Sequence, residues 1–184
     1  MSHPFRHFHT ITKHRHRVIA HCFRAGIGWQ GLFHDLSKYS PVEFWTSSRF
    51  YQGDRSPNDK ERQVRGYSRS WLHHKGRNRH HYEYWTDYSN VTHKVEPVKM
   101  PLKYVIEMFC DRIAACRVYQ KENYTDASAW NYYQHAKDLK HTDASLFMHE
   151  DTAALLGRWL ELLKDRGEEE AFALIRQELQ SSEY

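Results

Sequence analysis

The sequence predicts an all-α single domain, a bundle of six to seven helices. Apolar residues recur at helical spacing in several segments, as with Ile11, Val18 and Cys22. Helix-start signals precede some of these segments, and no segment shows the alternation of apolar and polar residues that marks a half-buried strand. A chain of 184 residues with 40% hydrophobic residues is long enough to bury one core.

The helices are predicted from caps, breakers and apolar faces along the chain. The first should end at Gly26, and Ser40-Pro41 combines a serine N-cap with a first-turn proline. The predicted helices cover residues 10–25, a short restart at Trp29, a segment from Pro41, 71–85, 100–120, 126–140, 150–165 and 168–180. Between them, 1–9 should be loosely held, 52–60 an exposed loop and 87–99 an irregular linker. We expect the C-terminal helices of 126–180 to pack on a core formed by 10–120.

Histidine and basic residues concentrate in the N-terminal part of the chain. Twelve of the fifteen histidines lie in residues 1–100, and this segment has 17 Lys and Arg against 8 Asp and Glu. Such a charge attracts phosphate-bearing ligands or nucleic acid, although an ordinary solvated surface is the simpler explanation.

The cysteines predict a reducing environment. Cys22, Cys110 and Cys116 are odd in number, form no CxxC pair and lie among apolar residues. Reduced thiols in a cytoplasmic protein are therefore expected, and not a disulfide framework. The sequence shows neither a secretory signal segment nor an apolar run long enough to span a membrane.

An adjacent histidine and aspartate, His34 and Asp35, are the first candidate metal ligands. Neighbouring residues on a helix point about 100° apart, so both can flank an ion at the helix edge. Imidazole and carboxylate suit zinc, iron, manganese or magnesium. His14 or His21 lies at the edge of the first helix's apolar face and could join them. Asp111 lies on an otherwise apolar helix face, where a metal or an arginine would have to offset its burial.

A second histidine-rich segment lies in the predicted helix 71–85. In a straight helix His74 and His81 share a face with Asn78, while His73 and His80 form a neighbouring stripe. The adjacent tryptophans favour burial of the first face, so we expect His74 and His81 at the metal pocket and the other pair nearer solvent. A break at Gly76 would allow His80 to join them.

The order of these residues resembles the HD superfamily of metal-dependent phosphohydrolases. In that superfamily a helical bundle holds one or two metals with a histidine, a His-Asp dipeptide and a late helical aspartate. Residues that match this core set are His14, His34, Asp35 and Asp111. The resemblance implies an HD-domain-like fold and a divalent metal such as Mn, Fe, Zn, Co or Mg. Histidines between the dipeptide and the last aspartate would bind a second metal or the phosphate.

A closer resemblance is to a small, uncharacterised family of bacterial and phage proteins. Its motifs are His-Asp-Leu-Ser-Lys-Phe/Tyr-Ser-Pro, a His-His…Asn…His-His-Tyr/Trp-Glu segment and Met-Pro…Glu-Met…Asp. They correspond here to residues 34–41, 73–83 and 100–111. Members are sometimes labelled catalase, but the paired Glu-x-x-His helices of a dimanganese site are absent from this sequence.

The function implied by the resemblance is hydrolysis of a phosphate ester such as a nucleotide. The metal would activate water, while Lys38 would neutralise developing negative charge. His74 or His81 would protonate the leaving group or bind phosphate. Lys38 could equally be a structural partner of Asp35. Residues expected to contact the substrate are Arg77, Asn78 and His80, with Arg79 a further phosphate contact.

Two alternatives belong to other functional classes. Some HD-fold enzymes are di-iron oxygenases, and the bound metal would distinguish them from hydrolases. A non-catalytic nucleic-acid-binding module is supported by the basic N-terminal part and its interleaved aromatics, such as Tyr67 and Trp71. Its binding would be steeply salt-dependent and would survive chelation. Small phosphorylated substrates are the expected partners, with nucleic acid less favoured and no membrane expected.

Overall fold

The computed structural model describes residues 2–138, 148–181 and 184, and confirms an all-α bundle. The α-helices are α1 (Pro4–Arg24), α2 (Gly28–Gly31), α3 (Pro41–Phe50), α4 (Pro57–Arg65), α5 (Arg69–Lys75), α6 (Leu102–Gln120), α7 (Ser128–Asp138), α8 (Glu150–Arg166) and α9 (Glu168–Ser181). Strands β1 (Thr86–Tyr88) and β2 (Val95–Pro97) form an antiparallel pair, and Leu36–Tyr39, Tyr82–Tyr84 and Lys121–Asn123 are 3₁₀ turns. The predicted end of the 126–140 helix lies outside the described residues. None of the described helices is long and apolar enough to cross a membrane.

The first helix begins earlier than predicted, so the prediction that residues 1–9 are loosely held is wrong. Pro4 occupies the first turn, where its missing N–H removes no helical hydrogen bond. His7 is buried, with its ring 5.5 Å from that of Phe44 and 5.7 Å from that of Tyr51. Packing against α3 and the loop that follows it therefore holds the N-terminal turns. The helix ends as predicted before Gly26, which has a φ of +86°.

Helix α6 lies at the centre of the core. Its buried residues Phe109 and Ile113 belong to one apolar cluster with Val18 of α1, Trp159 of α8 and Phe172 of α9. The rings of Phe109 and Trp159 are 6.0 Å apart, edge to face. Because α1 and α6 also carry polar residues of the candidate site, this core fixes the spacing between them.

Gly31 sets the approach of α2 to α1. A Cβ at this position would lie 2.5 Å from the Cβ of Cys22, which is fully buried in α1. Only glycine permits this approach without a shift of backbone. The chain then enters the turn that carries His34 and Asp35, so this contact positions the dipeptide against α1.

Three segments differ from the sequence prediction. The predicted loop at 52–60 contains the start of α4, with Ser56 accepting a capping hydrogen bond from the Asn58 N–H. The predicted helix 71–85 ends at Lys75, because the chain turns at Gly76. The predicted linker at 87–99 contains part of the β1–β2 pair. Each is a local feature whose apolar pattern is too short to identify from sequence.

Replacing Gly31 by alanine should destabilise the protein by about 1–3 kcal/mol, because the new methyl group overlaps Cys22. Gly76→Ala is the matched control, since its Cβ would meet nothing closer than 3.5 Å. Urea unfolding followed by circular dichroism measures both variants. Equal stabilities for the two variants would contradict the close-approach argument.

Acid should destabilise the protein partly through His7. Burial and the nearby Lys38 lower the pKa of His7 to about 4, so its ring stays neutral in the folded state while the unfolded chain binds a proton below about 6.5. Above about pH 6.5 the protonation of His7 has no effect on stability. At pH 5 the proton bound by His7 in the unfolded chain lowers the free energy of unfolding by about 2 kcal/mol. His7→Phe should therefore show a smaller loss of unfolding free energy between pH 7 and 5. The exposed His9→Phe variant should keep the wild-type loss, and identical behaviour of the two variants would exclude His7 as the cause.

Candidate metal centre

Asp35 is the centre of the site. It lies between α2 and the 3₁₀ turn Leu36–Tyr39, has a φ of +55° and is 1% exposed. Aspartate adopts this left-handed conformation more readily than most residues, and unusual backbone angles concentrate at functional sites. The conformation directs its two carboxylate oxygens toward different histidine groups.

The first group lies on the Oδ2 side of Asp35. The Nε2 atom of His34 is 3.2 Å from this oxygen, and that of His14 is 3.7 Å away. Asp111, from α6, places its Oδ1 atom 2.9 Å from His14 Nε2 and 3.6 Å from His34 Nε2. One ligand atom from each residue falls within 4.8 Å of all the others, which is close enough to hold one metal ion.

The second group lies on the Oδ1 side of the same carboxylate. His74 Nε2 is 3.2 Å from this oxygen and His80 Nε2 is 3.5 Å from it. His81 completes a set whose ligand atoms also lie within 4.8 Å of one another. The ring centroids of His80 and His81 are 4.1 Å apart. Asp35 is thus shared between two groups that could each hold an ion.

Two buried glutamates orient these imidazoles from behind. Glu107 Oε1 accepts from Nδ1 of His34 at 2.8 Å and lies 3.2 Å from Nδ1 of His80. Glu43 accepts from Nδ1 of His74 at 2.8 Å. Burial opposes ionisation of Glu107, but the histidine hydrogen bonds lower its pKa to about 2. Glutamate at Nδ1 leaves Nε2 free to coordinate, as in many protein metal sites.

Buried polar atoms at the centre point inward without a hydrogen bond. Among the described residues, no partner with hydrogen-bond geometry is found for either Asp35 oxygen or for Nε2 of His14, His34, His80 and His81. Unsatisfied buried groups are costly, and a ligand bound by all of these atoms would reduce that cost. Nitrogen and carboxylate donors in this arrangement fit a divalent cation.

The carboxylates of the first group are ionised. Burial opposes charge on Asp35, but the adjacent His34 and Lys38 hold the pKa of its carboxyl well below the usual range. Burial likewise opposes charge on Asp111, but the adjacent imidazoles of His14 and His34 hold the pKa of that carboxyl well below normal. Both residues therefore present the deprotonated form that binds a metal.

His81 is held neutral in the second group. Burial, together with the neighbouring His80 and His74, lowers the pKa of its ring well below the usual value. A neutral imidazole is the form that donates a lone pair to a metal. Its edge-to-face contact with Trp71, with ring centroids 4.7 Å apart, fixes the plane of the ring.

A cavity of about 670 Å³ opens onto both groups. His14, Lys38, His74, His81 and Asp111 line its inner end. Aromatic side chains form much of the remaining wall: Trp71, Tyr82, Tyr119, Tyr132 and Tyr133. A volume in this range suits a small-molecule ligand.

Two histidines occupy positions that differ from the sequence expectation. His21, the alternative to His14, is directed to the Cys110 carbonyl, 3.3 Å from its Nδ1, and belongs to neither group. His80 was expected nearer solvent in a straight helix, or at the pocket if the helix broke at Gly76. It is 2% exposed and faces Asp35, so the straight-helix expectation is wrong. The physical reason is the break after Lys75, which rotates the following histidines out of the straight-helix register.

The predicted substrate contacts Arg77 and Asn78 do not line the cavity. The exposed Arg77 donates to the His73 carbonyl at 3.2 Å. Asn78 donates to the His74 carbonyl at 2.8 Å and to Ser37 Oγ at 2.8 Å, which ties the end of α5 to the turn after Asp35.

Arg79 is exposed and donates to the Tyr104 hydroxyl at 3.3 Å. Arg79 does not line the cavity either, so it is not placed to contact a phosphate there as the sequence led us to expect. His73, which the sequence places nearer solvent, is half-buried and donates to Glu43 at 2.6 Å.

Sequence reasoning missed the two supporting glutamates. Glu107 is four residues before Asp111 in the same helix, so both carboxylates lie one turn apart on a face that is otherwise apolar. That spacing is a signal that could have identified it. Glu43 has no such signal, because a glutamate in the first turn of a helix is also favoured by the helix dipole.

Comparison with known proteins identifies a family for this chain. A family model described as "family of unknown function (DUF5662)" matches residues 3–162. No curated protein and no solved structure matches. The matched segment contains every residue of the two groups that could hold an ion, and it covers most of the chain. The protein therefore belongs to the DUF5662 family.

Proposed function

We propose that the protein is a metal-dependent phosphohydrolase that holds two divalent cations, one on each side of Asp35. The observation that carries this proposal is the shared carboxylate, with three further ligands converging on each of its oxygens. Sites that hold two metal ions occur in phosphatases, polymerases and nucleases, all of which act on phosphate esters. The order of ligands along the chain, which resembles the HD superfamily, supports the same reading.

Each residue of the two groups has a role in this proposal. One ion would be held by His14, His34, Asp35 and Asp111, and the other by Asp35, His74, His80 and His81. Bound cations would lower the pKa of a water molecule and polarise a phosphoryl oxygen. Glu107 and Glu43 keep the rings oriented by accepting their Nδ1 protons.

Lys38 provides positive charge at the inner end of the cavity. Its ammonium group lies 2.5 Å from Asp35 Oδ2 and lines the cavity. Burial opposes its charge, but Asp35 and Asp111 raise the pKa of the ammonium group above the usual value, so it stays protonated. A fixed cation beside the phosphate would stabilise the negative charge that develops during hydrolysis.

The substrate in this proposal is a small phosphate ester. The cavity is large enough for a compact organic phosphate, and its aromatic wall suits an apolar portion of the ester. Trp71, which the sequence offered as a nucleic-acid stacking residue, instead packs on His81 inside this cavity. This favours a small substrate over a nucleic-acid surface.

A di-iron oxygenase is the second candidate. The observation that favours it is the nitrogen-rich donor set, with five imidazoles and two carboxylates, because imidazole suits iron as well as zinc and manganese. The metal recovered with the protein, and dependence on oxygen, would distinguish the two functions.

The metal content of a variant should depend on which of the two ligand groups is altered. The wild-type protein is expected to bind two divalent ions per chain, and His14→Ala or His74→Ala to reduce this to about one. Asp35→Asn should remove most of the metal, because it takes one ligand from both groups. Elemental analysis after dialysis against trace metal gives the stoichiometry.

His16→Ala is the matched control for His14→Ala. His16 lies on the same helix but is exposed, so its loss should leave the metal content unchanged. Circular dichroism must show that each variant is folded. Equal metal in the His14 and His16 variants, or two ions retained by Asp35→Asn, would overturn the proposed centre.

Lys38→Met should lower kcat for 4-nitrophenyl phosphate by roughly 100- to 1000-fold, because the fixed charge near the phosphate is lost. Its metal content should stay near wild type. Lys13→Met, at an exposed position on α1, should have no effect. If Lys38→Met instead loses metal with little change in the rate per bound ion, Lys38 is a structural partner of Asp35.

A further inference from the structure

Among the described residues, four lysine and arginine side chains line the cavity, and three of them are already paired. Lys38 pairs with Asp35 at 2.5 Å. Farther out, Arg55 pairs with Asp54 at 2.9 Å and Arg62 with Asp59 at 3.0 Å. Each of these charges is neutralised by the chain itself, so none of the three needs a ligand as its counter-ion. The fourth cation is Arg112.

Arg112 lacks a carboxylate partner among the described residues. No salt bridge joins it to any aspartate or glutamate there, and its Nε atom is buried without a hydrogen-bond partner. The guanidinium carbon is 5.9 Å from the Tyr133 ring centroid, and the charge of Arg112 acts on Tyr82 and Cys116. Glu83 also lines the cavity and acts on Tyr82, but it forms no salt bridge with Arg112. A partly buried guanidinium in such surroundings is costly unless an anion joins it.

The position of Arg112 separates it from the metal groups. It directly follows Asp111 on α6, and neighbouring residues on a helix project about 100° apart. When Asp111 faces Asp35, Arg112 therefore points to another part of the cavity wall. An anion bound there is a different group from the phosphate held at the inner end.

We propose that Arg112 binds a second anionic group on the substrate. This rests on the proposed function and specifies its substrate class: a small phosphate ester whose alcohol portion carries a carboxylate or a further phosphate. A guanidinium binds either oxyanion through two parallel hydrogen bonds. Tyr82, Tyr133 and the rest of the aromatic wall contact the spacer between the two charged ends.

The test uses phosphonates, because their carbon–phosphorus bond replaces the ester bond that the protein is proposed to hydrolyse. The metal-loaded, full-length protein is titrated by calorimetry with ω-carboxyalkylphosphonates that have two to five methylene groups. Each is compared with the alkylphosphonate of equal length that ends in a methyl group. Bisphosphonates of the same lengths form a third arm, which decides between a carboxylate and a phosphate as the second anion.

At least one doubly charged length should bind roughly 10- to 100-fold more tightly than its methyl-ended partner, as expected for hydrogen bonds between charged groups. Arg112→Met should abolish this preference and leave binding of the methyl-ended compounds unchanged. Arg112→Lys should keep part of it, because the charge remains without the paired geometry. Arg69→Met, an exposed residue that does not line the cavity, should keep all of it.

Two results would overturn the proposal. One is that no compound of either doubly charged series binds better than the methyl-ended compound of equal length. The other is that Arg112→Met weakens both kinds of compound equally, which indicates a structural role. Hydrolysis of 4-nitrophenyl phosphate is measured in parallel. If the preference depends on Arg112 but the protein has no phosphatase activity, the second anion site is supported and the proposed reaction is rejected. If the protein has phosphatase activity but no preference for the doubly charged compounds, the proposed reaction is supported and the second anion site is rejected.

Discussion

The negative charge of Asp35, removed from water and set in a left-handed turn, is the constraint on which the rest of the structure depends. A buried carboxylate requires compensating charge or hydrogen-bond donors. The chain provides them from the first helix, the turn itself, the end of α5 and the residues beyond Gly76. The glycine contact at Gly31 and the capping of α5 by Asn78 serve the same end, because both fix segments that approach this carboxylate.

Much of the fold and part of the site were predictable from the sequence. The helices with strong apolar periodicity, such as α1 and α6, were located, and the cap at Ser40 was identified from two residues. The grouping of His14, His34, Asp35 and Asp111 was expected from motif order, and their ligand atoms do converge. Contacts between residues far apart in sequence can be predicted when a known family pattern indicates which residues come together.

The remainder depends on backbone geometry that no local pattern specifies. The position of His80 depended on whether the helix continued through Gly76, and the preferred straight helix placed it on the wrong side. The turn of the chain there changes the direction of every later side chain. Arg112 was overlooked for a related reason. Whether an arginine is paired depends on what lies opposite it in space, and residues far away in sequence decide that.

Glu107 has a consequence for how the centre assembles. One oxygen of this glutamate meets the Nδ1 atoms of both His34 and His80, which belong to different groups. In the proposed two-ion centre, an ion that orders either ring would also order the carboxylate that holds the other ring. Binding at the two groups would therefore be linked through Glu107, and by the same factor in both directions.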